Sequence, residues 1–117
     1  MFKDMFLNEN KPNEYSGYSQ IKEFMKTKEG KSLDELHFAF LDMGKPKTYI
    51  DPVKDAFKEA GVRIKKQQKT SQYWSVLIVD AKDYKKLAPL FKKWEDDFYN
   101  NNSSSNSHNP VLLVPIQ

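Results

Sequence analysis

Two segments of the chain are largely apolar on both faces of an extended backbone, which is typical of strands in the interior of a sheet. These segments are residues 35–42 (ELHFAFLD) and 73–79 (YWSVLIV). Residues 62–69 (VRIKKQQK) instead become basic, and residues 111–117 (VLLVPIQ) contain Pro115. Lysines protect the edges of sheets, and proline cannot donate a ladder hydrogen bond. We therefore expect two central strands and two edge strands.

Helical spacing appears in three other segments. Residues 20–28 follow a candidate cap, Ser19, and carry the apolar side chains Ile21, Phe24 and Met25. Residues 51–60 begin at Asp51 and are followed by Gly61, a left-handed helix stop. These two segments are predicted to form helices.

The third helical segment follows residue 80, with Asp80 as its predicted cap. An apolar seam then repeats at steps of three and four residues: Tyr84, Leu87, Phe91, Trp94 and Phe98. Pro89 lies inside this seam and predicts a kink or a break near Ala88.

The predicted order is a helix followed by strand–helix–strand–strand–helix–strand. This order indicates an α+β fold of the ferredoxin-like (βαββαβ) type with an additional N-terminal helix. Residues 1–18 are predicted to be an irregular leader, and residues 19–117 a single domain with a flexible polar linker at residues 100–110. The central strands are apolar on both faces, so either the N-terminal helix or a second subunit should cover the face opposite the other helices.

Composition narrows the functional classes. The chain has 117 residues, a formal net charge of +3 and no cysteine, so disulfides and thiolate metal sites are excluded. The first residues lack the apolar core of a signal peptide, and no segment approaches transmembrane length. We expect a cytoplasmic protein without cofactor or bound metal and without a membrane partner.

The basic segment suggests nucleic-acid binding. Residues 61–79 contain no acid, and two further lysines lie in the loop that follows the first predicted strand. The candidate phosphate-binding and base-stacking residues are Lys45, Lys47, Arg63, Lys65, Lys66, Lys69 and Tyr73. The basic residues are mostly lysine, which lacks the planar fork that reads guanine, so low sequence specificity is expected. The competing interpretation is an edge strand kept soluble by its lysines.

Two aspartates are the candidates for catalysis. Asp42 and Asp80 follow the two central strands, which we expect to be parallel and adjacent, with both carboxylates at the same end of the sheet. Paired carboxylates hold Mg²⁺ and activate water on a phosphodiester. The competing interpretation is a turn residue and a helix cap.

Three functions therefore remain. The first is non-enzymatic nucleic-acid binding through the basic strand. The second is a protein-interaction module, an inhibitor or adaptor of the kind that mobile elements carry, which binds a partner or a second copy through a sheet edge or an apolar sheet face. The third is an Mg²⁺-dependent nuclease, although the chain has no phosphate loop, nucleophile elbow or ordered triad.

Overall fold

The computed structural model describes residues 12–42, 50–101 and 108–115. Their elements, in chain order, are β1 (Pro12–Ser16), α1 (Gly17–Met25), α2 (Lys28–Lys31), β2 (Glu35–Leu41), α3 (Ile50–Glu59), β3 (Lys66–Lys69), β4 (Trp74–Asp80), a 3₁₀ turn (Ala81–Asp83), α4 (Tyr84–Asn101) and β5 (Val111–Pro115). The protein is thus a mixed α+β fold.

The described strands form one antiparallel sheet in the order β1-β5-β2-β4-β3. As predicted, β2 and β4 are interior and the lysine-rich β3 lies at an edge. The edge position predicted for the last strand is wrong, because β5 lies between β1 and β2. Its proline is tolerated because β2 pairs only with Val111, Leu112 and Leu113, which leaves Pro115 outside that ladder.

Strand β1 lies within residues 1–18, for which the sequence predicts an irregular leader, so this prediction is wrong for residues 12–16. Its sequence, PNEYS, is mostly polar, but an edge strand needs only one partner and one buried face. Tyr15 supplies that face by stacking on Phe24 of α1, with ring centroids 4.3 Å apart. Pro12 is the first residue of the strand, where the loss of an N–H is tolerated.

The main core lies on one face of the sheet. It contains the largest buried side chains of the strands and of α1, α3 and α4, including Ile21, Phe38, Phe57, Leu87 and Phe91. The expectation that the N-terminal helix covers the opposite face is therefore wrong, since Ile21 and Phe24 of α1 join the same core as the other helices. The opposite face carries a smaller cluster: Ala39, Val76, Ile78 and Val111.

The ends of the predicted helices are only partly confirmed. Helix α3 ends at Glu59 and is followed, as expected, by Gly61, whose φ of 83° favours glycine. Of the kink or break predicted near Ala88, the break is absent, because Tyr84–Asn101 form one helix with Pro89 inside it. Helix α1 begins at Gly17, so Ser19 is not its cap; the Ser19 hydroxyl donates to Glu95 Oε1 at 2.8 Å instead.

Candidate binding sites

The basic edge strand β3 is exposed, but the lysine before it and the lysine at its end are already paired. All four residues of β3 are exposed. Lys65, just before it, lies 2.7 Å from Glu35 Oε2 and 3.1 Å from Asp80 Oδ1. Lys69, its last residue, lies 3.4 Å from Asp42 Oδ2 and donates to the Asp42 carbonyl at 2.6 Å. Phosphate binding by these two lysines would have to compete with carboxylates of the same sheet.

Lys65 also shifts the pKa values of its two carboxyl partners. Its hydrogen bonds lower the pKa of the Glu35 carboxyl and of the Asp80 carboxyl, and the same bonds raise the pKa of Lys65. Asp80 precedes the 3₁₀ turn as its capping residue but makes no side-chain cap bond there. The predicted capping role of this side chain is therefore wrong, and its charge is directed to Lys65.

The Lys65 ion pairs predict a pH-dependent contribution to stability. Carboxyls with lowered pKa values stabilise the fold at neutral pH and lose that contribution as the pH falls through those values. We therefore expect Lys65→Met to lower the urea midpoint slightly at about pH 7, and the difference from the wild type to vanish near about pH 2. The matched control, Lys66→Met, should show no such pH dependence. An equal loss at both pH values would contradict the assignment.

Asp42 belongs to a buried polar contact between β2 and β4. It is 5% exposed, and its Oδ2 accepts a hydrogen bond from Ser75 Oγ at 2.6 Å. Its backbone N–H donates to the Tyr73 carbonyl at 2.6 Å. Together with the contacts of Lys69, these bonds fasten the end of β2 to β4 and to the edge strand β3, which is a structural role for Asp42.

The two candidate catalytic aspartates lie at opposite ends of the sheet, so their predicted pairing is wrong. Strands β2 and β4 are antiparallel: Glu35 pairs with Asp80, and Leu41, beside Asp42, pairs with Trp74. These two pairs lie six residue steps apart along the strands, or roughly 20 Å. Among the described residues, no group of three or more His, Cys, Asp or Glu side chains is placed to hold a metal ion.

The remaining predicted binding residues are scattered. Arg63 is exposed, and Tyr73 is 45% exposed where the chain enters β4. Lys45 and Lys47 lie outside the described residues. The rings beside the edge strand are Tyr73 and Trp74, and Trp74 is 39% exposed. The structure therefore supplies one basic edge with few unpaired charges rather than a continuous basic surface.

A second basic surface, not predicted from the sequence, lies between α1, α2 and the start of α4. We call it the lysine groove; its volume is about 610 Å³. Of the described residues that line it, none is acidic and five are exposed lysines: Lys22, Lys26, Lys31, Lys82 and Lys85. The other lining residues are half-buried or buried, and they include Met25, Leu33, Ala81, Tyr84 and Ala88.

Tyr84 forms part of the floor of the lysine groove. Burial raises the pKa of its phenol to about 12. Among the described residues, none hydrogen-bonds to its buried Oη atom. The floor thus includes the Tyr84 hydroxyl oxygen beside aliphatic side chains.

Sequence reasoning missed this groove because its lysines come from three separate segments. Lys22 in α1 and Lys26, which caps its C-terminus, are four residues apart. Lys82 in the 3₁₀ turn and Lys85 in α4 are three apart, so each pair lies on one face. This spacing is the feature of the sequence that could have indicated a basic surface here. The packing of α1 against α4, which joins the two pairs, is not visible in any local pattern.

Comparisons with protein-family models, with curated proteins and with solved structures found no match. Within the described ranges, no helix is long and apolar enough to cross a bilayer. The assignment of function therefore depends on the geometry of the surfaces described above.

Proposed function

We propose that the protein is a protein-interaction module that binds an acidic, amphipathic helical segment of a partner in the lysine groove. The observation that carries this proposal is the composition of the groove, which has five lysines at its rim and a mostly aliphatic floor. A helix with apolar residues on one side and carboxylates beside them complements both parts of this surface.

The charge of the groove selects an acidic partner. The groove has two walls, one formed by α1 and α2 and the other by the start of α4, and both contribute lysines. Of the described lining residues, none carries a negative charge. Lys26 pairs with Glu23 of its own helix at 3.3 Å, but both side chains are largely exposed. Exposed pairs contribute little free energy, so a partner carboxylate can replace this one at small cost. Concentrated charge of one sign also accelerates association with an oppositely charged partner.

The floor favours a protein over a nucleic acid. Met25, Leu33 and Ala88 offer aliphatic surface, which packs against apolar side chains. A single-stranded nucleic acid would instead use exposed rings for stacking. The rings here are Tyr18 and Tyr84; both are half-buried, and the ammonium of Lys22 lies 5.8 Å from the centre of the Tyr18 ring.

The second candidate is nucleic-acid binding, which the same five lysines favour. It remains compatible with a net charge of +3 and with the exposed Arg63 and Lys66 on the edge strand. The two candidates differ in what they require: a nucleic acid needs phosphate contacts alone, whereas the proposed helix also needs the aliphatic floor.

We also infer that β2 to β5, with α3 and α4, form a ferredoxin-like unit to which β1 adds a fifth strand. The support for this inference is the βαββαβ order from Glu35 to Pro115, together with the strand neighbours β5-β2-β4-β3. In this arrangement α1 and α2 are additions to the unit, and the lysine groove lies where these additions meet α4.

Fluorescence anisotropy with three labelled probes tests the proposed function. The probes are an amphipathic helical peptide of glutamate and leucine, a scrambled peptide of the same composition, and a single-stranded oligonucleotide. We expect the amphipathic peptide to bind with a Kd of about 10 µM, and the scrambled peptide at least ~10-fold more weakly.

Two charge-reversal variants locate the surface. Lys26→Glu/Lys85→Glu alters both walls of the groove and should weaken peptide binding by about 30-fold or more. Lys58→Glu/Lys93→Glu makes the same change at exposed lysines outside the groove and should weaken it less than ~3-fold.

Three results would contradict the proposed function: equal loss of affinity in both variants, equal affinity for the scrambled peptide, or tighter binding of the oligonucleotide. Oligonucleotide binding that is lost in Arg63→Glu/Lys66→Glu would instead indicate the basic edge strand.

A further inference from the structure

An aromatic pocket of about 290 Å³ opens beside the C-terminal half of α4, apart from the basic edge strand. The segment preceding β5 and the start of α1 complete its wall. Its lining residues include Tyr18, Trp94, Glu95, Phe98, Tyr99 and His108. We call this cavity the aromatic pocket.

The rings of the pocket are held in place by one another. Trp94 stacks on the buried Phe91 at a centroid distance of 5.7 Å and meets the edge of His108 at 5.1 Å. Phe98 and Tyr99 are in edge contact at 5.3 Å, and they are 47% and 70% exposed. Large apolar side chains this exposed are unusual outside binding surfaces when they adjoin a cavity.

Of the described residues that line the pocket, one is acidic. Glu95 accepts hydrogen bonds from the Ser19 hydroxyl at 2.8 Å and from the Ser19 backbone N–H at 3.3 Å. These bonds fix the carboxylate between α1 and α4. Among the described residues, no lysine, arginine or histidine nitrogen lies within 4.0 Å of this carboxylate, whereas Lys92, one turn earlier, pairs with Asp96. A carboxylate has about four acceptor positions, so Glu95 retains the capacity to accept from a ligand.

We propose that the aromatic pocket binds a compact organic cation, namely an alkylated ammonium head group. Aromatic faces attract such cations electrostatically, most strongly when the cation is partly removed from water, and a nearby carboxylate adds to this attraction. The pocket volume is at the lower end of the range for small-molecule sites, which suits a head group rather than a larger ligand.

The charge of the surroundings agrees with a cationic ligand. Burial lowers the pKa of His108, which favours its neutral form at neutral pH, so this ring adds no positive charge to the pocket. Tyr18 lines both the aromatic pocket and the lysine groove, but the two cavities carry opposite charge. The inference is independent of the proposed function, because it concerns a different cavity and a ligand of opposite sign.

The experiment uses Trp94 as its reporter. The other tryptophan is replaced in a Trp74→Phe background, and choline is titrated while the emission of Trp94 is recorded. We expect saturable binding with a Kd of about 1 mM. The neutral carbon analogue 3,3-dimethyl-1-butanol has the same shape without the charge, and it should bind at least ~10-fold more weakly. A peptide that contains trimethyllysine is titrated in parallel, and tighter binding of it would identify a modified protein as the source of the head group.

Two variants of the aromatic pocket are compared, so that the test still decides if one of them disturbs the fold. Glu95→Gln preserves an acceptor for Ser19 but removes the charge, and we expect about 10-fold weaker choline binding. Tyr99→Ala removes the most exposed ring and should weaken choline binding about 5-fold without unfolding the protein. Equal affinity for choline and its neutral analogue would overturn the proposal, as would saturable binding unchanged in both variants. Absence of any response to choline and to the trimethyllysine peptide would also overturn it.

Discussion

Replacing Phe57 by alanine should cost about 4 kcal/mol of the free energy of unfolding, the largest effect we expect of a single substitution in this core. Phe57 is fully buried on α3. Its ring lies in edge contact with Phe38 and Phe40 of β2, at centroid distances of 6.5 and 5.8 Å, and 6.1 Å from Phe91 of α4. Truncation therefore leaves a cavity bordered by two rings of β2 and one ring of α4. Strand β2 and helix α4 cannot move together to fill this cavity without displacing the sheet.

Urea unfolding of Phe57→Ala and of a matched control measures this cost. Phe98→Ala makes the same chemical change at a ring on α4 that is largely exposed, and it should cost less than about 1 kcal/mol. The denaturant slope should remain unchanged in both variants, so that the shift in midpoint reports stability alone. Similar losses in the two variants would show that the aromatic cluster is not the centre of the core.

Gly30→Ala should destabilise the protein by about 3 kcal/mol, through overlap rather than through a cavity. Gly30 is buried in the short helix α2, directly against the end of α1. A Cβ atom at this position would overlap the carbonyl oxygen of Phe24 and lie 2.9 Å from the Cα atom of Met25. Both neighbours are backbone atoms, so no side-chain rotation can relieve the overlap.

The turn that precedes Gly30 makes relaxation more costly. The Thr27 hydroxyl donates to the Phe24 carbonyl at 2.6 Å and accepts from the Gly30 N–H at 3.0 Å, so moving Gly30 disturbs both bonds. Thermal and urea unfolding of Gly30→Ala should be compared with those of Lys28→Ala, an exposed position in the same helix that should change stability by less than about 0.5 kcal/mol. A Gly30→Ala protein as stable as the wild type would mean that α1 and α2 are less closely packed than described.

The two interior strands could be predicted from the sequence. A strand with apolar side chains on both faces is stable where both faces are covered, as they are in the interior of a sheet. This pattern identified β2 and β4, and the lysines of β3 identified an edge. The position of β5 was not predictable in the same way. Whether a strand lies at an edge depends on its partner, and its partner here is β1, whose residues, PNEYS, have no alternating apolar pattern.

The candidate sites are harder to predict from the sequence. They depend on whether neighbouring strands run parallel or antiparallel, and on contacts between segments that are distant in the chain. Asp42 and Asp80 both end apolar strands, and only the antiparallel pairing of β2 with β4 separates them. The basic segment was visible as composition, but the ion pairs of Lys65 and Lys69 depend on which carboxylates the register places beside them. Likewise, the aromatic seam of α4 was predicted as core, whereas its last turns line an open pocket.

The pairing of β1 with β5 has a consequence for how the chain reaches its native state. Tyr15 is aligned with Leu112, so the two partners are separated by nearly the whole described sequence. Closing so large a loop costs entropy before any of its hydrogen bonds form, and contacts this distant slow the search for the native topology. During synthesis, residues 12–16 must therefore wait without their strand partner until residues 111–115 have left the ribosome.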